Sequence, residues 1–432
     1  MAKKLLDDCF LHDKDRLRHD DAVALLRSRI EPVTGFERVG ISDVAGRVLA
    51  ESATALLPVP AHTNSAVDGY AISAAHYNRE TGSRFAISAR AAAGRPIAEN
   101  PPSDTAVRIF TGAVMPTGFD TVAMQEDCEV EEIGSGESWR ATHVTIPPGL
   151  KAGANVRRAG EDIAAGTIMF EAGTLLRPQD AAALASIGYA DVACHQRVRT
   201  AIVSTGDEVI RPGSRALGPG EVFDANAPML TALARAAGAD VTDLGVWPDD
   251  ASEIQRRLSN AAQDFDIILT SGGASRGEED HMLAALDTIG KRHMWQLAVK
   301  PGRPLMFGQI GDAVLVGLPG NPVAVFVCFL MYVYPMLRRL GGGQWPEPRR
   351  FMLPAAFELP KRKTGRREFF RGVLRMTDNT LVVDKYARDG SGLISGLRAA
   401  QGLIDIDEDV PSIASGDLVA FIPFSEFGIL DH

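Results

Sequence analysis

The chain has 432 residues and a formal net charge of −10 at pH 7, from 45 Lys and Arg against 55 Asp and Glu. Its 45% hydrophobic content supplies a full globular core, and its length exceeds the ~100–200 residues of one domain. The acidic balance argues against the broad basic surface of a nucleic-acid binder, and four scattered cysteines without a CxxC argue against a zinc cluster or disulfide framework.

MAKKLLDDCFLHDKDR is charged too early for a signal peptide. DDAVALLRSRI, at 20–30, has apolar residues at helical spacing after an Asp cap and predicts a short helix. From about 55 to 150, β-prone pieces such as AVRIFTG and HVTIPPG alternate with Gly, Pro and Asn turns, the texture of a β module. A glycine-rich stretch at 152–176 leads into RPQDAAALASIGY, a predicted helix with Pro178 near its start.

From 198 the rhythm changes to strand–helix units. VRTAIVS, DVTDLGVWP and DFDIILTSGG read as strands, and PMLTALARAAG and ASEIQRRLSNAAQD as helices. Such repetition implies a parallel sheet, whose ligand sites lie beyond the carboxyl ends of its strands. The longest apolar run, 323–337, is shorter than the ~20 residues of a bilayer span and contains Pro335. A soluble, cytoplasmic protein with no membrane partner is therefore expected. LGGGQWPEPRR, at 340–350, reads as a linker, and 351–432 as a second small β module. The expected class is multidomain α/β and β.

Three predicted strands run into loops of unusual chemistry. AIVSTGDEVI places Asp207 and Glu208 after its strand. LTSGGASRGEEDH combines Ser271, Gly272, Gly273 and Ser275 with an acidic burst ending at Asp280. AVLVGLPGNPVAVF carries Pro319, Gly320, Asn321 and Pro322, with Asn321 suited to an N-cap and Pro322 to the first helical position. A glycine turn lets backbone approach a phosphate closely, and a helix N-terminus holds an anion without a basic side chain. Mg²⁺ takes oxygen ligands and bridges carboxylates to phosphate. Asp280, Glu208 and either Asp249 or Asp250 are the candidate ligands. Neither GxxxxGK[ST] nor GxGxxG after a strand is present, against a generic nucleotide-binding fold.

In order along 20–425, NSAVDGYAI, TGAVMPTGFDTVAMQED, NVRRAGEDIAAG, STGDEV, TSGGASRGEEDH, VKPGRPL and GLPGNPVAV resemble the MoeA-type molybdopterin molybdenumtransferases, the family of the gephyrin E domain. That resemblance implies insertion of molybdate into adenylylated molybdopterin (molybdopterin-AMP) with release of AMP, assisted by Mg²⁺. It implies an elongated homodimer, with molybdopterin adenylyltransferase as a transient partner. Four regions follow from it: a discontinuous dimerising linker (1–55 and 151–195), a β-rich region reaching the partner's site (56–150), a molybdopterin-binding α/β region (196–342) and a C-terminal β-barrel-like region (343–432). By the same resemblance the catalytic set is Asp68, Thr111, Asp162, Glu208, Asp249, Asp280, Lys300 and Arg371. Glu208, Asp249 and Asp280 hold the metal. Ser271, Gly272, Gly273, Ser275, Pro319, Gly320 and Pro322 form the cofactor loops.

The chain departs from the family pattern at Gln296, where a second lysine is common, and at Arg303 and Arg276. An arginine presents a planar fork where a lysine presents a point charge. Gln296 and Arg303 motivate an alternative reading, a catalytically weak molybdopterin carrier or chaperone. A scaffold role finds no disordered or repeat segment to support it.

Overall fold

The structure is a computed structural model of the whole chain, and it describes residues 16–133, 140–272 and 281–429. The first helix, His19–Arg29, buries Ala22 and Leu26 one turn apart, with Ile30 just beyond its end. The expected Asp cap is not formed. Arg18 is the capping residue and makes no side-chain capping bond, while Asp20 lies inside the first turn with its carboxylate 3.1 Å from Arg367 Nη1. The distant ion pair outcompetes the local cap.

Phe36–Gly40 pairs antiparallel with Asp191–His195, and Ala53–Thr54 with Ile168–Phe170. One small core of Val44, Leu49, Leu176, Leu184 and Ile187 therefore joins two segments far apart in the chain. Between them the chain forms a six-stranded sheet in the order Thr121–Met124, Gly69–Ile72, Ala106–Ile109, Ser83–Ala91, Arg140–Ile146, Glu129–Ile133.

The α/β sheet runs Asp240–Trp247, Arg199–Thr205, Ile267–Ser271, Ala313–Leu318, Pro304–Ile310, Lys291–Gln296. The first three pairings are parallel and the last two antiparallel. The antiparallel part follows from connection length: only Gly311 and Asp312 separate Ile310 from Ala313, too few for a crossover. Asn226–Ala236 and Ala251–Asp264 are the helices expected.

The apolar run after Asn321 is one 19-residue helix, Pro322–Leu340, of mean hydropathy 1.6 and 89% buried inside the protein. By length and composition it would pass for a membrane span; its burial makes it the core helix. Pro335 cannot continue an α-helical ladder, and Phe329–Val333, directly before Tyr334, takes a π turn that absorbs the mismatch. Around this helix one apolar cluster runs from Leu26 and Ile30 through Ile202, Leu269 and Val316 to Phe369, Leu403 and Ile422. Each such side chain contributes about 1.5–3 kcal/mol on burial, so the N-terminal helix, α/β sheet and C-terminal sheet share one core.

The C-terminal sheet is Val299–Lys300, Arg367–Thr377, Gly402–Ile406, Leu418–Pro423, Phe351–Pro354, with Thr380–Lys385 beside Arg367–Thr377. Its first strand comes from the α/β unit, and this exchange fixes Lys300 at the junction.

Candidate functional site

Parallel register lines up the strand tips. Ser204 pairs with Ser271, Thr205 with Trp247, and Ser271 with Leu318. The loops beginning at Gly206, Pro248, Gly272 and Pro319 therefore leave one edge of the sheet together. Gly272 turns there with φ +92°, and its N–H donates to Leu318 O at 3.2 Å. A Cβ at this position would come within 2.7 Å of Thr205 O, so only glycine fits.

The acids divide by task. Asp250 accepts from Ser252 Oγ at 2.6 Å and from Glu253 N at 2.8 Å, capping Ala251–Asp264. Those bonds hold its carboxyl below the usual aspartate range. Asp249 is left for the edge. Its backbone N–H donates to Asp207 Oδ1 at 3.3 Å, and burial together with the charges of Asp207 and Glu208 raises its proton affinity. Glu208 is exposed and lies against Gly206. Among the described residues no three His, Cys, Asp or Glu side chains form a ready metal-ligand set. The donors are nonetheless hard oxygens, and the like charges of Asp207 and Glu208, which add to burial in raising Asp249, are what a divalent cation offsets. Gly273, Ser275, Arg276 and Asp280 lie outside the described residues.

Asn226 and Asp224 are functional candidates that the sequence reading missed. Asn226 Nδ2 donates to Ser271 Oγ at 2.6 Å and to Gly320 O at 2.7 Å, tying two strand-tip loops together. Asp224 Oδ1 accepts from the N–H groups of Asn226 and Ala227. Among the described residues, Asn226 Oδ1, Asp224 Oδ2 and Ser204 Oγ are buried without a hydrogen-bond partner, although Arg211 Nη1 lies 3.4 Å from Asp224 Oδ2. Buried polar atoms are ordinarily paired, so Asn226 Oδ1 and Ser204 Oγ are open to a ligand's polar groups, while Asp224 Oδ2 faces the Arg211 charge. The FDAN turn before a helix was their sequence signal.

The Pro319–Pro322 loop opens onto a cavity of about 290 Å³ between the α/β sheet and the C-terminal sheet. Lys300, Arg303, Arg371 and Lys385 line it, with Asp389 as the acid. Lys385 Nζ is 2.5 Å from Asp389, and Lys300 Nζ is 3.9 Å from Glu368 just outside. Arg371 donates to the carbonyls of Leu393 and Arg388, with its guanidinium over the ring of Tyr386. Arg303 donates to Gln296 Oε1 at 3.1 Å, so the two departures from the motif pair with each other. Four cations thus face one lining carboxylate, with Glu368 behind Lys300. The helix N-terminus contributes less than expected. Asn321 occupies the capping position without a side-chain cap bond, and Val323 N–H is taken by Ser391 O.

Asp68 and Thr111 come together in the β module. Each sits at the same end of adjacent antiparallel strands, where Gly69 pairs with Ile109. Thr111 donates to Asp68 Oδ1 from both its backbone N–H and its hydroxyl, each at 2.8 Å, and holds that carboxyl below its ordinary range. Asp162 is not part of this pair. It is exposed, and its N–H donates to Val59 O. The hydrogen bonds of Asp68 and Thr111 stay within their own module, away from the strand-tip loops. Leu56, Leu57 and Ile168 are large apolar side chains left exposed near where this module meets the linker.

Comparison with known proteins gives a consistent pattern. Residues 17–188 match the model of the MoeA N-terminal region (domains I and II), 201–339 that of a probable molybdopterin binding domain, and 353–424 that of the MoeA C-terminal region (domain IV). A molybdopterin molybdenumtransferase from Haemophilus influenzae is 33% identical over 94% of this chain and 98% of its own. Molybdopterin molybdenumtransferase 2 from Mycobacterium tuberculosis is 32% identical over 92% and 96%. The crystal structure of a MoeA protein from Pyrococcus horikoshii superposes with a TM-score of 0.80 at 26% identity, covering 95% of this chain and all of that one.

Proposed function

We infer the chemistry of the site from one premise: the chain belongs to the MoeA family of molybdopterin molybdenumtransferases. It is a transferase of molybdenum cofactor biosynthesis, placing molybdenum on molybdopterin. The residue roles below are our proposal. Breaking the anhydride of molybdopterin-AMP requires positioning and charge neutralisation more than a covalent nucleophile.

The pterin belongs at the strand-tip edge. Its ring N–H groups are donors, and the buried, unpartnered Asn226 Oδ1 and Ser204 Oγ are matching acceptors. Ser271 and Gly272 bring hydroxyl and backbone toward the phosphate. Glu208 and Asp249 would hold Mg²⁺, with Asp280 as the third candidate. When bound, that ion supplies positive charge against the anhydride oxygens. Molybdate, a dianion, belongs in the cavity of Lys300, Arg303, Arg371 and Lys385. Its four cations face one lining carboxylate, Asp389, while Glu368 behind Lys300 is shared with Arg362 and Arg366, so the cavity is positively charged. This charge match is the observation that carries the reading.

Asp68, held ionised by Thr111, would enter from a second copy of the chain in a homodimer. Exposed Leu56, Leu57 and Ile168 support a covered linker face. Molybdate-dependent AMP release from molybdopterin-AMP by the purified protein tests the reading. Turnover that saturates with molybdate is expected, with Arg371→Ala raising the molybdate KM about tenfold or more. Tight pterin binding without AMP release would favour the carrier alternative that Gln296 and Arg303 raise.

A further inference from the structure

Glu368 is 3% exposed on the strand that also carries Arg371. It is the register partner of Lys300 in the two-residue parallel pairing of Val299–Lys300 with Arg367–Thr377. Its Oε1 lies 3.9 Å from Lys300 Nζ and 2.7 Å from Arg366 Nη2, and its Oε2 lies 3.6 Å from Arg362 Nε. The lysine side chain is 41% exposed. Besides Glu368, its ammonium has the face of Phe370, at 5.9 Å from the ring centroid. A long, flexible side chain with a free head loses entropy when a ligand must fix it.

We propose that Glu368 is a positioning residue for molybdate transfer: from beneath the cavity it fixes the Lys300 ammonium toward the oxyanion and offsets part of the cavity's positive charge. Arg362 and Arg366 pair with the carboxylate in a place where an unpaired charge would be costly. The contact with Lys300 extends that buried charge to the cavity wall. This inference rests on the reading of the cavity as the molybdate site.

A double-mutant cycle over molybdate titrations of AMP release tests it, using Lys300→Met, Glu368→Gln and the pair. Glu368→Gln is expected to raise the molybdate KM roughly tenfold and to leave the KM for molybdopterin-AMP within about twofold. In the Lys300→Met background the same change is expected to add nothing. Equal effects in both backgrounds would overturn the proposal, because Glu368 would then act without Lys300. If Glu368→Gln abolishes cooperative melting, Glu368→Asp replaces it in the cycle: the charge stays, one methylene further from Lys300, and the molybdate KM must still rise only when Lys300 is present. Lys300→Met with an unchanged molybdate KM would instead remove the cavity reading itself. A raised KM in Lys300→Met without any effect of the Glu368 variants removes this inference alone.

Discussion

Asp249 and Asp250 are neighbours with opposite employment, and substitution should separate them. Asp250→Ala removes a helix cap and should cost about 1 kcal/mol in denaturant unfolding, with turnover nearly unchanged. Asp249→Asn should leave stability intact and reduce turnover about tenfold or more at limiting Mg²⁺, the deficit narrowing as Mg²⁺ is raised. Equal turnover of Asp249→Asn and wild type across the Mg²⁺ titration would remove Asp249 from the metal site. The sequence showed two adjacent acids but not which one faces the edge. That distinction depends on the loop turning at Pro248 and on the competition of Ser252 and Glu253 for Asp250. Asp224 and Asn226 were illegible for a related reason: an Asp-x-Asn turn reads as a cap, and their unpartnered atoms appear only once the strand tips converge.

The elements were more legible than the site. Strand–helix rhythm locates the sheet and its carboxyl edge, because burial periodicity and glycine punctuation are local signals. What local signals could not carry was the exchange of Val299–Lys300 into the C-terminal sheet, or the convergence of Lys385 and Arg371 on the Pro319 loop from later strands. The N-terminal helix makes a prediction at this scale. His19 is buried, pairs through Nδ1 with Tyr332 Oη at 2.8 Å, and packs against Phe369. Burial and the nearby Arg367 push its pKa down to about 4 from 6.5. The folded state therefore resists a proton that the unfolded chain accepts. Stability from this group is complete above about pH 6.5 and is lost as pH falls toward 4, by roughly 3 kcal/mol at most. Unfolding free energy measured across that window should fall for the wild type and fall less steeply for His19→Gln. Identical slopes would show that His19 does not carry this linkage. At the carboxyl edge, Gly272→Ala should cost about 1–3 kcal/mol, since both its positive φ and the Thr205 carbonyl oppose a side chain.

On the scale of the whole molecule, the proposed site is divided between two modules. The groups proposed to hold pterin and molybdate lie on the α/β and C-terminal sheets, which share a core. Asp68 and Thr111 lie on a separate six-stranded sheet whose hydrogen bonds do not reach the strand tips. In the proposed homodimer, a second copy joined through the exposed Leu56, Leu57 and Ile168 face would bring the two halves together. Mixing two impaired variants at limiting Mg²⁺ is the most direct test of this arrangement. Asp68→Asn keeps an intact pterin edge, and Asp249→Asn keeps an intact Asp68. After subunit exchange, half the dimers are mixed and each holds one complete site of two, so AMP release should recover to about a quarter of the wild-type rate. Activity that stays at the level of the separate variants after verified exchange would contradict a site shared between subunits.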